Sequence, residues 1–262
     1  MELANFQKVV EIAERAQRRA SLRLVDTKLQ SQESQPMNPT CWRCSDRGWI
    51  TVAEMGARRC LCLRRKIMRT ALKIVPKQYG KPKLSRLTPR PDIHPMQRQA
   101  IGLAKSNPDD SFLLCGRNAS GKTHIGWALY RHAVVSGRKA VGCLLSELID
   151  SYKNFELMPQ EEKLRAMRDF TKDRPLILPD DLKSDTRRCT LFLDEFEKAR
   201  PSEFASECLF RLLNAARDFN HQLIITSNLD WDGMRDRWSR IDEVYGNSIM
   251  TRLQGCHLIE LF

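Results

Sequence analysis

The sequence predicts an α/β fold: a three-layer domain around a parallel five-stranded sheet, preceded by a small metal-binding module and an amphipathic helix. Three observations predict it. From Ser111 onward, short apolar segments alternate with helical ones, the pattern of a buried parallel sheet covered on both faces. A glycine-rich loop of phosphate-binding type follows the first of these apolar segments. Four cysteines in two close pairs stand well upstream of it.

The elements follow in order. Residues 3–24 read as an amphipathic helix. Leu3, Phe6, Val10, Ala13 and Ala16 recur at steps of three or four, with Lys8, Glu11, Arg15 and Arg18 on the other side. Such a helix packs on its own domain or on a partner. Residues 29–39 are polar with two prolines and read as a linker. The predicted division is 1–36 for the helix and linker, 37–75 for the cysteine module and 76–262 for the α/β domain. Strands are expected at Ser111–Cys115, Ala140–Leu145, Thr190–Asp194, Leu223–Thr226 and His257–Leu261. Helices are expected near 122–136, 146–156, 160–171, 202–218 and 246–254. A length of 262 residues suits one sizeable domain with a smaller appendage.

The charge is uneven. The chain carries 44 Lys and Arg against 32 Asp and Glu, a formal +12. Between Met55 and Pro91 there is no acidic residue, and the twelve cations there equal the whole surplus. A localised basic strip is the footprint of a phosphate-backbone binder, nucleic acid being the partner expected here; the alternative is a solvated linker. No apolar run approaches membrane-spanning length, so no membrane association is expected. The N-terminus lacks a basic start followed by an apolar stretch, which predicts a cytoplasmic protein. Nine cysteines then read as reduced thiols or metal ligands.

Gly116-Arg117-Asn118-Ala119-Ser120-Gly121-Lys122-Thr123 fits the G-x-x-x-x-G-K-[ST] phosphate loop, with an apolar strand before it and a helix after it. Backbone N–H groups in such a loop point inward, and the helix N-terminus adds positive potential. Lys122 is expected to reach the β- and γ-phosphates of ATP, and the Thr123 hydroxyl to ligate Mg²⁺.

Leu191-Phe192-Leu193-Asp194-Glu195 is an apolar strand ending in two carboxylates. A parallel strand delivers such residues beside the phosphate loop. Asp194 is expected to hold Mg²⁺ and Glu195 to polarise the attacking water. Asp180 and Asp181 also follow an apolar run, but Pro179 removes a ladder donor there. Leu223 to Asn228 is a further apolar strand with a polar tip, suited to hydrogen-bond a γ-phosphate or a water.

Cys41 and Cys44, then Cys60 and Cys62, form C-x₂-C and C-x-C pairs separated by fifteen residues. Two close thiolate pairs suit tetrahedral Zn²⁺, and Gly48 and Trp49 between them suit a small ribbon or knuckle. Cys115, Cys143, Cys189, Cys208 and Cys256 lie in or beside apolar elements and read as core residues.

Together these motifs resemble the DnaC/DnaI/IstB-type AAA+ ATPases, bacterial and phage helicase loaders and transposition helpers. The resemblance is carried by Cys41 to Ile50 with Cys60 and Cys62, by Val75 to Tyr79, and by Gly121 to His124. It is carried further by Pro201 to Glu207, Ile224 to Leu229, and Thr251-Arg252-Leu253. It implies the AAA+ sheet topology, self-association into an oligomer and ATP sites between neighbours. It also implies that His124 belongs to the phosphate loop, that Asn228 is the first sensor, and that Arg252 is a finger acting on a neighbouring subunit. Position 119, usually glycine in that loop, is Ala119, and the chain ends at Phe262 after the fifth strand, so no helical lid is expected.

The implied function is that of a replicative helicase loader using ATP, with the N-terminal helix and zinc module on the helicase and the ATPase core on single-stranded DNA. A transposition helper on duplex DNA is the rival within the family. A DNA-binding adaptor holding ATP as a structural ligand is the rival outside it, and Glu195 argues against that adaptor.

Overall fold

The computed structural model describes residues 41–52, 56–90, 95–160, 188–240 and 243–262. The expected helix at 3–24, the linker at 29–39, Asp180, Asp181 and all but the first residue of the expected helix at 160–171 lie outside the described residues. The chain divides into two compact units, Met1–Cys62 and Leu63–Phe262.

In the first unit, a tight turn carries Cys41 to Cys44, with the Ser45 N–H donating to the Cys41 carbonyl at 2.8 Å. Ser45, Asp46 and Gly48 all have positive φ, so the backbone coils tightly beneath the first cysteine pair. Strands β1 (Trp49–Val52) and β2 (Gly56–Arg59) then form an antiparallel hairpin. The Cys60 N–H donates to the Gly48 carbonyl at 2.7 Å, which returns the second cysteine pair to the first.

All but the first two residues of helix α1 (Leu61–Leu72) belong to the second unit. Its Met68, Ala71 and Leu72 pack on the core, and its exposed side carries Arg64, Arg65, Lys66 and Arg69. The acid-free strip is therefore partly helical, which its charge density hid from the sequence. Two short 3₁₀ turns, Lys77–Tyr79 and Leu84–Arg86, lead to α2 (Pro95–Ser106). The remaining order is β3 (Phe112–Gly116), α3 (Lys122–Val135), β4 (Ala140–Leu144), α4 (Leu145–Leu157), β5 (Thr190–Asp194), α5 (Glu203–Asp218), β6 (Gln222–Ser227), α6 (Trp231–Ser239), α7 (Glu243–Leu253) and β7 (His257–Leu261).

The five strands are parallel, in the order β4-β5-β6-β3-β7. Side chains alternate faces along each strand. Phe112, Leu114, Phe192 and Ile224 join α2, α3 and the 75–87 arm in one core cluster. Leu113, Cys115, Leu191, Leu193, Leu223 and Ile225 join α4, α5, α6 and α7 in the other. This is the expected three-layer arrangement. Cys115 and Cys189 are fully buried, and Cys143, Cys208 and Cys256 pack at the core margin, as read from the sequence.

β3 lies between β6 and β7, so its carboxyl end is flanked by theirs, with β5 one strand further away. Close packing holds α3 over this sheet. A Cβ on Gly126 would lie 2.5 Å from Phe192 Cε2, so only glycine permits that approach. Helix α5 is capped by Ser202, whose Oγ accepts from the Ala205 N–H, and α6 by Asp230, whose carboxylate accepts from the Gly233 N–H.

Candidate functional site

The loop from Gly116 to Thr123 connects β3 to α3 and wraps the N-terminus of that helix. Gly116 has φ 149° and lies against Leu261 of β7, where a Cβ would come within 2.4 Å of its carbonyl oxygen. Gly121 has φ 93° and Ala119 φ 63°. Ala119 thus adopts the left-handed backbone that glycine supplies more cheaply. Arg117, Asn118 and Ala119 form the exposed crest of the loop, and Ser120 turns inward.

Lys122 is 6% exposed. Its Nζ donates to the Gly116 and Arg117 carbonyls, both at 2.7 Å. Burial lowers its pKa, and the negative charge of Glu197 is the strongest influence opposing that shift. The ammonium is therefore aimed into the loop.

The acidic strand meets the loop directly. Thr123 Oγ1 donates to Asp194 Oδ1 at 3.0 Å, and Thr226 Oγ1 donates to the same oxygen. Burial raises the Asp194 pKa, while the hydrogen bonds from Thr226 and Thr123 oppose it. Glu195 sits in the left-handed region at φ 54°, its N–H on Thr226 Oγ1 at 3.1 Å and its Oε1 2.6 Å from Lys198 Nζ. Asn228, at the tip of β6, gives its backbone N–H to Glu197 Oε2 at 3.1 Å and its Nδ2 to Glu197 Oε1 at 2.5 Å.

A cavity of about 500 Å³ lies between the loop and the strand ends. Asn118, Ala119, Gly121, Lys122, Thr123 and His124 line it from the loop side, and Glu195, Glu197, Thr226, Ser227 and Asn228 from the strand ends. Its remaining wall comes from the arm before α2, including Tyr79, Arg86, Arg90 and Gln97. His124 meets Tyr79 edge-on at 6.1 Å, and burial lowers its pKa. One wall thus carries Lys122 and the loop at the N-terminus of α3, and the opposite wall carries Glu195 and Glu197. That combination can hold a polyphosphate on one side and a hard cation on the other, with Thr123 and Asp194 oxygens adjacent.

Sequence reasoning missed Glu197, Thr226 and Gln97. Gln97 is 5% exposed; its Nε2 donates to the Ser120 carbonyl and its Oε1 accepts from the Arg90 N–H, both at 2.9 Å. The only hint of Glu197 was a third carboxylate two residues beyond the acidic pair.

Arg252 lies away from this cavity, in α7. Its guanidinium sits 4.2 Å from the centroid of the Phe210 ring, bonds the Asn214 side chain and donates to the Ser248 carbonyl at 2.8 Å.

In the first unit, the four sulfurs of Cys41, Cys44, Cys60 and Cys62 lie within 4.8 Å of one another. Cys41 and Cys60 sulfurs are 3.7 Å apart, and Cys44 and Cys62 sulfurs 3.3 Å. Tetrahedral zinc with bonds of about 2.3 Å needs sulfurs about 3.8 Å apart, so the residues fit the metal. Although burial opposes it, hydrogen bonds from the Arg43 backbone and from Cys62 and Cys44 bring the Cys41 thiol down to about 7. A thiolate at Cys41 is the form a metal takes.

No family model and no curated protein matches the chain. Solved structures do. DnaI shares 18% identity over 72% of this chain and 95% of its own, with a TM-score of 0.54. AMPPCP-bound DnaA from Aquifex aeolicus shares 16% identity over 70% of this chain, with a TM-score of 0.50, and is matched over half of its own length. The DnaC helicase loader shares 19% identity over 71% of this chain and all of its own, with a TM-score of 0.48. The sheet domain therefore has the fold of DnaI and of the matched half of DnaA.

Proposed function

We propose that this protein is an ATP-dependent helicase loader. Gly116 to His124 bind ATP, and Thr123 with Asp194 hold Mg²⁺, which neutralises phosphate charge when bound. Glu195 polarises the attacking water, and Asn228 senses the terminal phosphate. Arg252 completes the site of a neighbouring subunit. The cysteine module holds zinc and, with the N-terminal segment, engages a replicative helicase, while the acid-free strip contacts single-stranded DNA.

One observation carries the ATPase reading: Thr123 of the phosphate loop hydrogen-bonds Asp194 of the acidic strand. The loader reading is supported by the sequence resemblance, above all by the cysteine module, and the DnaI-like fold agrees with it. Lys198 Nζ lies 2.6 Å from Glu195 Oε1, so this lysine competes for the carboxylate that would polarise the water.

The test is a loading assay with the replicative helicase of the same genome on a circular single strand. The expected result is ATP-dependent unwinding that the protein stimulates. Stimulation of a transposase on duplex DNA, with no effect on the helicase, would favour the transposition helper. Intact ATP affinity without turnover, alone or with partners, would favour the adaptor.

A further inference from the structure

Asn228 is expected to meet a terminal phosphate, yet both of its donors facing the acidic wall are already taken. Its backbone N–H and its Nδ2 converge on the two oxygens of one carboxylate, Glu197, at 3.1 and 2.5 Å. Glu197 sits in the 3₁₀ turn Phe196–Lys198 immediately after β5, and its side chain lines the same cavity as Lys122 and Thr123. It is also the strongest of the charges that oppose the lowering of the Lys122 pKa by burial. A carboxylate is an anion with two acceptor oxygens, and so is the edge of a phosphate. Glu197 therefore sits on Asn228 as an anionic phosphate edge would, within the field of the same lysine.

We propose that Glu197 is a specificity-determining residue that occupies the Asn228 pincer as an internal stand-in for a terminal phosphate. A nucleoside triphosphate takes the pincer only by displacing it, whereas a diphosphate leaves the pair closed. Glu197 thereby lowers triphosphate affinity relative to diphosphate, and its release reports that a γ-phosphate has arrived. The proposal rests on reading the cavity as a nucleotide site. It is separate from the role of Glu195, whose carboxylate is held by Lys198.

The test measures affinity, using full-length protein, a fluorescent non-hydrolysable ATP analogue and the matching ADP. Wild-type protein that binds neither probe would refute the nucleotide-site reading itself. Given binding, Glu197→Ala should raise the preference for the triphosphate analogue over ADP by about tenfold, the worth of one charge-assisted hydrogen bond. Glu197→Gln should fall between wild type and Glu197→Ala, because an amide offers one acceptor to two donors. The isosteric variant also serves if Glu197→Ala fails to fold. The decisive control is Asn228→Ala, in which Glu197→Ala should change the preference little. An equal rise with and without Asn228 would mean simple charge repulsion and overturn the proposal. An unchanged or reduced preference in the single variants would overturn it too.

Discussion

Thr123 and Asp194 stand 71 residues apart in sequence and 3.0 Å apart in space, the hydroxyl of the phosphate loop donating to the carboxylate of β5. This contact sets the acidic strand end against the loop, so their variants should separate binding from chemistry. Lys122→Ala should abolish ATP binding, because the charge on the β- and γ-phosphates is lost. Glu195→Gln should bind ATP normally and hydrolyse it at least about 100-fold more slowly. Equilibrium nucleotide binding and phosphate release measure the two effects. Normal turnover in Glu195→Gln together with loss in Asp181→Asn would move the carboxylate assignment to the other acidic run.

Purified protein should contain about one zinc per chain. Structural sites of this kind contribute on the order of 10 kcal/mol to local folding. Cys41→Ser should therefore unfold the cysteine module and leave nucleotide binding by the Leu63–Phe262 unit largely intact. Elemental analysis after chelator-free purification decides the first point, and absence of stoichiometric metal counts against the site.

Arg252 has two possible employments, and its surroundings sharpen the choice. The guanidinium rests on Phe210 and is tied to Asn214 and Ser248, all within the same chain. If those contacts are its whole purpose, Arg252→Ala lowers stability and leaves turnover alone. As a finger acting on a neighbour, Arg252→Ala binds ATP but loses roughly 10³-fold or more in rate. Mixing it with Lys122→Ala should then restore activity, since one chain brings the nucleotide site and the other the finger. Co-assembly of the two mutants without any rescue removes the finger role.

The DNA prediction concerns salt. Arg64, Arg65 and Lys66 are all exposed on α1. Single-strand binding should weaken steeply with ionic strength, each phosphate contact adding about 0.7 to the log–log slope. Reversing the three to Glu should lower that slope by about 2 and weaken all sequences alike. An unchanged slope would exclude them as backbone contacts.

Gly126→Ala tests how α3 is seated. The new methyl would press on Phe192, costing about 1–3 kcal/mol. A drop in melting temperature of several degrees is expected, with part of it recovered in Gly126→Ala/Phe192→Leu. No drop in the single variant would mean that α3 can shift freely over the sheet.

β3, β5 and β6 were legible because each is an apolar run that gives way to polar residues. Thr190–Asp194 and His257–Leu261 were read with their observed limits. β6 starts one residue earlier than expected, at Gln222, whose amide is fully buried yet donates to the Pro108 and Asp110 carbonyls. A polar residue satisfied from more than a hundred positions away looks like loop in sequence. Helix α6 was missed because charge fills it and Gly233 interrupts it; its helical spacing rests on Trp231, Met234 and Trp238 alone. The phosphate loop was legible because its chemistry demands particular residues at particular spacing. Glu197 was not, because its importance comes from a turn that aims it at Asn228, and no local pattern encodes that aim.

Gln97 has a wider consequence. One amide side chain holds the Ser120 carbonyl with one end and the Arg90 N–H with the other. The loop that would cradle phosphate and the tail of the cationic strip therefore share one hydrogen-bonding side chain. Were a polyphosphate at the loop to shift that tail, a polyanion on the tail would bias the loop by the same free energy, since coupling between two sites is reciprocal.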